Sequence, residues 1–223
     1  DKLAIFGGNK TRNKPFPSRN LFDNDVLCAV KKVFETSWES GVDFSYQGIF
    51  EEQFCNKFCE FQGGGYADAV SSGTAAIYVA LKAIDISHGS DVIVSPVTNA
   101  GGVMPVTLQG LNVIIADSGA DSFNVSPETF EDAITLHTKA AILTHVGGIP
   151  IDMNPIIEIA NIKGIQIIED CSHSPGANYH GEKIGRFGVV SAFSTMSSKT
   201  LSTGGAGGIV YTKDEEIYWK IRS

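Results

Sequence analysis

ADAVSSGTAAIYVALKAI, residues 67–84, decides the fold class. It passes from a short apolar stretch, 67–70, through a turn of small polar residues into a segment rich in Ala, Leu and Ile, 74–84. Strand, tight turn and helix in that order open a unit whose next strand lies parallel to the first. The alternation continues downstream, with apolar runs at 92–94, 113–116, 140–143, 165–168, 189–193 and 208–211. Helix signals separate most of them. Ser126-Pro127 and Asn154-Pro155 each place a capping residue before a proline suited to the first helical position. Strands alternating with helices predict an α/β domain, a mainly parallel seven-stranded sheet with helices on both faces. In such sheets ligands bind at the carboxyl ends of the strands, so chemistry is sought in the loops that follow them.

Upstream, Val26, Ala29, Val30 and Val33 predict a helix over 25–35. Phe50, Phe54, Phe58 and Phe61 form one stripe of a second helix over 47–61, assigned to the core. Residues 4–20 read as a loop, with Gly7-Gly8, Pro15 and Pro17. The 223 residues are 43% hydrophobic and 19% charged, the balance of a globular protein. A net charge of −8 argues against a nucleic-acid binder and leaves room for a small anionic ligand. No apolar run reaches the roughly 20 residues that cross a bilayer, and the polar N-terminal stretch lacks the apolar core of a secretory signal. Cys28, Cys55, Cys59 and Cys171 read as buried thiols of a reducing cytosol. The Asn9-Lys10-Thr11 and Asn124-Val125-Ser126 sequons are read as chance matches.

Three loops carry unusual polar residues. Ser71-Ser72-Gly73-Thr74 precedes the Ala-rich helix, where backbone N–H groups and the helix dipole make an anion site; ordinary capping by Ser72 or Thr74 is the alternative. Glu169-Asp170-Cys171-Ser172-His173 follows the run 165–168. A carboxylate there can hold a protonated ring nitrogen; a metal site on Asp170 and His173, or a solvated loop, are the alternatives. Lys199 lies in a loop of small polar residues that leads to the glycine run 204–208. A partly desolvated lysine becomes a nucleophile, whereas a solvated one is only a surface charge. Ser198-Lys199-Thr200 is not a P-loop, because Ser198 and Phe193 stand where that motif needs glycine. The glycine run precedes a strand rather than a helix, so it is not a dinucleotide fingerprint either.

Taken in order, anion loop, acid and lysine resemble the DegT/StrS-type sugar aminotransferases. Residues 72–76 resemble the family's SGTAAL phosphate loop, and 138–142 with 148–153 its TKAII…G.P.DM stretch. Residues 168–177 resemble its IEDxxQxxGA segment, and Phe193-Ser194, Lys199 and 204–208 its FS…K…GEGG. The resemblance implies the large domain of a fold-type-I pyridoxal 5′-phosphate (PLP) enzyme over 41–223, after an N-terminal segment with a helix over 1–40. It implies that Lys199 carries the cofactor covalently and moves protons, and that Asp170 keeps the pyridine nitrogen protonated. Gly73, Thr74 and Ser194 fall to the phosphate. His173 stands near the 3-oxygen where the family often has glutamine, and Asn99 takes the ring-stacking position, often aromatic. No metal is implied. The implied reaction moves an amino group from glutamate or glutamine to a keto-sugar, usually nucleotide-linked, in a cytoplasmic homodimer without nucleic acid or membrane as partner. A sugar dehydratase would carry histidine in place of Lys199, and a non-catalytic scaffold on the same fold would need neither Lys199 nor Asp170. The sequence stops within a helix that begins near Asp214, and the family's smaller C-terminal domain is expected to be absent.

Overall fold

The computed structural model describes residues 2–19 and 21–223; Asp1 and Asn20, the ends of the polar N-terminal stretch, lie outside the described residues. The chain divides into two compact units, Asp1–Phe44 and Ser45–Ser223. In the first unit helix α1 spans Asn24–Ser40 and stops at Gly41, which has φ 67°. Asp23 caps its start by accepting from the Asp25 and Val26 amides at 3.0 and 3.2 Å. The helix outruns the predicted 25–35 because Gly41 is the first residue that supplies the left-handed stop. None of its residues is buried.

The second unit holds the sheet. All seven apolar runs are strands: β1 (Tyr66–Val70), β2 (Asp91–Val94), β3 (Asn112–Ile115), β4 (Thr138–Thr144), β5 (Gln166–Asp170), β8 (Val190–Ser194) and β9 (Gly208–Thr212). Their order is β1-β9-β8-β5-β4-β2-β3. β3, β2, β4, β5 and β8 pair in parallel, and β9 runs antiparallel to both β8 and β1. β9 is therefore the one strand of this sheet that runs against the other six. A two-stranded hairpin, β6 (Asn178–Tyr179) and β7 (Glu182–Lys183), lies apart from the sheet. Its turn residues His180 and Gly181 have φ of 50° and 86°, the pair of positive angles a tight hairpin demands.

Alternation along each strand sends side chains to opposite faces. Ala141, Leu143 and Ile167 pack with Phe58, Phe130 and Ile156, from helices α2 (Ile49–Gln62), α5 (Pro127–Asp132) and α6 (Met153–Lys163). Ala140, Ile142 and Ile168 pack on the other face with Ala76, Val106 and Ile221, from α3 (Gly73–Ala83), α4 (Met104–Leu108) and α7 (Glu215–Arg222). Both faces are covered, which is why the strands read as continuous apolar runs. The Phe stripe of α2 is only partly core: Phe58 is 4% exposed and meets Phe193 edge-on at 4.9 Å, whereas Phe61 is 45% exposed.

Two helix starts can be compared with the sequence. Ser126 caps α5 in a reciprocal box with Thr129, as Ser126-Pro127 predicts. α6 instead begins at Met153, ahead of the predicted Asn154-Pro155 start. Asp152 stands at its N-cap, but its carboxylate accepts from the Tyr179 hydroxyl rather than from the helix. Pro155 is tolerated because N–H groups of the first turn have no intrahelical partner to lose. Helix α7 has a conventional cap: Asp214 accepts from the Glu216 and Ile217 amides at 2.8 and 3.1 Å. Asp214→Ala is expected to cost about 1 kcal/mol and to lower the melting temperature by roughly 2–4 °C in a thermal scan.

No described helix is long and apolar enough to cross a membrane. The cysteines are unpaired, and Cys28 corrects the reading of four buried thiols, since it lies exposed on α1. Burial pushes the Cys55 thiol up to about 12, and burial also raises Cys59 and Cys171. Brief treatment with iodoacetamide near neutral pH should therefore modify Cys28 first, and peptide mass mapping checks this.

Candidate active site

The carboxyl ends of β1, β2, β5 and β8 open onto a cavity of about 170 Å³. Gly73, Thr74, Asn99, Asp170, His173, Ser194 and Lys199, all singled out from sequence, line it together. Thr98, Ser172, Met196 and the Ala206-Gly207 pair complete much of the wall; Thr98 carries no signal in the sequence, and the others lie in the loops quoted above without a role of their own.

One end of the cavity is the start of α3. Ser72 does cap the helix, its hydroxyl accepting from the Ala75 amide at 3.0 Å, while its carbonyl takes the Ala76 amide at 2.9 Å. The capping and anion-site readings are therefore compatible: the amides of Gly73 and Thr74 remain at the helix start, where the dipole favours negative charge. Glycine is required at 73 by closeness, since a Cβ there would lie 2.7 Å from the Ser194 Cβ. Gly73→Ala is expected to cost about 1–3 kcal/mol through overpacking, read from the urea midpoint, and to push Ser194 away from the helix start.

Lys199 lies half-buried in the loop from β8 to β9. That loop is pinned at its base. The Thr195 amide donates to the Gly207 carbonyl at 2.9 Å, the Thr203 amide to the Thr195 carbonyl at 3.0 Å, and the Ser197 amide to the Gly205 carbonyl at 2.9 Å. The end of the glycine run, Gly207-Gly208, serves close packing. A Cβ at Gly207 would lie 2.4 Å from Thr195 Oγ1, and one at Gly208 2.3 Å from the Ser72 carbonyl oxygen.

Glu169 and Asp170 are the last two residues of β5 rather than part of a loop. Neighbours on a strand face opposite ways, and the two carboxylates separate accordingly. Asp170 goes to the cavity. It is 4% exposed, and it accepts from the Ser172 amide on Oδ1 and the Thr144 hydroxyl on Oδ2, each at 3.1 Å. Glu169 goes to the protein interior and is fully buried. Its Oε1 accepts from the Phe187 and Gly188 amides, both at 2.7 Å, and its Oε2 from the Gly185 amide at 2.9 Å. Nε2 of His145 lies 3.2 Å from the same Oε2. Because His145 Nδ1 accepts from the Ile151 amide at 3.1 Å, the ring proton sits on Nε2 and points at Glu169.

His145, Glu169 and Cys171 bring ligand-type atoms within 4.8 Å of one another, which raises the question of a metal. The hydrogen bonds answer it. Both imidazole nitrogens and both carboxylate oxygens are engaged, and burial beside Glu169 and Asp170 keeps the Cys171 thiol protonated. The cluster is a structural anchor for the 185–188 turn. It includes neither Asp170 nor His173, the pair considered from sequence.

His173 presents Nδ1 to the Gly147 amide at 3.5 Å, which leaves Nε2–H as its donor toward other groups. Asn99 is exposed, and its Oδ1 accepts from the Gly101 amide at 3.1 Å, capping the turn Ala100–Gly102. That engagement fixes the amide beside the cavity without giving it a ring face. The Asn124 sequon is closed to modification, because Asn124 is 6% exposed and its amide nitrogen donates to the Ile149 carbonyl at 2.8 Å.

The sequence pattern of the DegT/DnrJ/EryC1/StrS aminotransferase family matches residues 24–223. The chain belongs to that family. Among its relatives is the GDP-perosamine synthase of Escherichia coli O157:H7, 36% identical over 189 residues, which are 85% of this chain and 50% of the relative. The solved aminotransferase from Psychrobacter cryohalolentis superposes with a TM-score of 0.86 at 32% identity, over 93% of this chain and 52% of that one. The E. coli GDP-4-keto-6-deoxy-D-mannose-3-dehydratase, solved with bound hydrated PLP, superposes with a TM-score of 0.82 at 27% identity, over 90% of this chain and 51% of that one. The fold is thus that of the fold-type-I PLP enzymes in this family. The chain spans about half the length of the curated relatives it matches.

Proposed function

We propose that the cavity binds pyridoxal 5′-phosphate and serves an aminotransferase that moves an amino group from glutamate or glutamine to a nucleotide-linked keto-sugar. The observation that carries this reading is the meeting of Lys199, Asp170 and the α3 start in one cavity. These residues fit the group: a buried carboxylate with a donor on each oxygen, a helix start with two amides to offer and a half-buried lysine. When bound, the cofactor supplies a carbonyl carbon and an electron-accepting ring. Lys199 Nζ would hold that carbon, with the carbonyl oxygen leaving as water, and would afterwards pick up and give back protons at Nζ. Asp170 would hold the proton on the ring nitrogen. The Gly73 and Thr74 amides and the Ser194 hydroxyl would receive the phosphate, His173 Nε2–H would donate to the 3-oxygen, and Asn99 would take the position at the ring. Lys199 also separates this reading from a sugar dehydratase, which in the family carries histidine at that position. A cytoplasmic homodimer, with neither nucleic acid nor membrane as partner, goes with the proposal.

The half-reaction with the donor tests the function. Glutamate or glutamine added to the PLP-loaded protein should bleach its visible absorbance, and a keto-sugar nucleotide should restore it. A spectrum unmoved by either donor contradicts an aminotransferase and favours a scaffold on the same fold.

A further inference from the structure

The wall behind Asp170 contains a polar chain that none of the roles above uses. Thr144, the last residue of β4, is 1% exposed and pairs with Asp170 across the sheet. Its Oγ1 lies 3.1 Å from Asp170 Oδ2 and also 3.1 Å from Thr98 Oγ1. One hydroxyl proton cannot serve both contacts. The carboxylate can only accept, so it takes the Thr144 proton, and Thr98 Oγ1 stands as the other acceptor within reach of the same hydroxyl. The chain is held from three sides. The Thr144 amide donates to Ser95 Oγ at 2.9 Å, which ties the ends of β2 and β4. A Cβ at Gly102 would lie 2.6 Å from Thr98 Oγ1, so glycine there leaves the hydroxyl its place. The Ser172 amide fixes the other oxygen of Asp170.

We infer that Thr144 is a positioning residue: its hydroxyl holds the Asp170 carboxylate in one orientation toward the ring nitrogen of the cofactor. Thr98 lines the cavity, whereas Thr144 lies behind it and acts only through Asp170. This inference rests on the PLP reading above. A valine at 144 keeps the shape and removes the proton donor; a serine keeps the donor and loses a methyl group. Hydrogen bonding and packing therefore predict opposite rankings of the two variants.

The test is PLP affinity, measured by absorbance titration on the purified protein, with thermal melts to show that each variant is folded. The Thr144→Val protein should bind PLP about tenfold more weakly, and Thr144→Ser should stay close to the unsubstituted protein. A PLP analogue with carbon in place of the ring nitrogen has nothing for Asp170 to hold, so Thr144→Val should bind it as well as the unsubstituted protein does. Thr144→Ala removes the same hydroxyl with no second methyl group to accommodate, and should weaken PLP binding to a similar degree while sparing the carbon analogue; it decides the matter should Thr144→Val fail to fold. Equal PLP binding by Thr144→Val and the unsubstituted protein overturns the inference. So does an equal loss of PLP and of the carbon analogue in Thr144→Val, which marks a packing role. If the unsubstituted protein takes up no PLP, the reading beneath the inference fails and the inference with it.

Discussion

Lys199→Ala is expected to remove the covalent attachment of PLP and to lower the amino-donor half-reaction by at least about 10⁴-fold. Both effects have one origin. In the proposed reaction the amine that takes the cofactor carbon also carries the protons afterwards, so its loss would not be offset by a neighbour. The cavity should still bind PLP reversibly, because the α3 start, Ser194 and Asp170 do not depend on Lys199 for their positions: Gly73 packs on Ser194, and Asp170 is held by Ser172 and Thr144. Lys199→Arg is the sharper control. A guanidinium keeps the positive charge but stays protonated at any working pH and cannot act as the nucleophile. The arginine variant should match alanine in the donor assay, and substantial turnover by it would reduce Lys199 to a charge that merely attracts the phosphate.

The largest effect on stability is expected at Glu169. Glu169→Gln should destabilise the fold by about 3–5 kcal/mol, seen as a lower urea midpoint at unchanged slope. Three backbone amides and the His145 ring converge on this buried carboxylate. Glutamine supplies one accepting oxygen, and its NH2 group would face donors on the other side. Buried donors without acceptors then bear their full desolvation cost. Asp170→Asn, one residue along, should cost clearly less stability, because the structure gives that carboxylate two donors rather than four. It should instead weaken the hold on the ring nitrogen. Equal urea midpoints for the two variants would contradict the division of labour between the carboxylates.

That division also shows where the sequence stops being legible. The strands were readable because helices cover both sheet faces, so each strand became an unbroken apolar run. The residues that meet at the cavity were readable where they fall on short contiguous motifs: the turn at Gly73, the acid at Asp170, the loop of Lys199. Glu169 and Asp170 look alike as text, and only the period of two on a strand separates them. Their partners are distant in sequence: His145 reaches Glu169 and Thr144 reaches Asp170 from β4. The β6–β7 hairpin escaped notice because each strand has two residues, too few for a pattern. The α6 start was misplaced because Asp152, beside a competing Tyr179 hydroxyl, does not behave as a lone capping residue. At Asn99 the sequence pointed to the cavity, while the use of its amide oxygen within its own turn came only from the structure.

Lys199 is the residue proposed to take the cofactor, and chemical trapping is the direct test. The protein is incubated with PLP, reduced with borohydride and digested, and the modified peptide is located by mass. A single modified site at Lys199 is expected. Modification spread over exposed lysines such as Lys57 and Lys213, with Lys199 unlabelled, would contradict it.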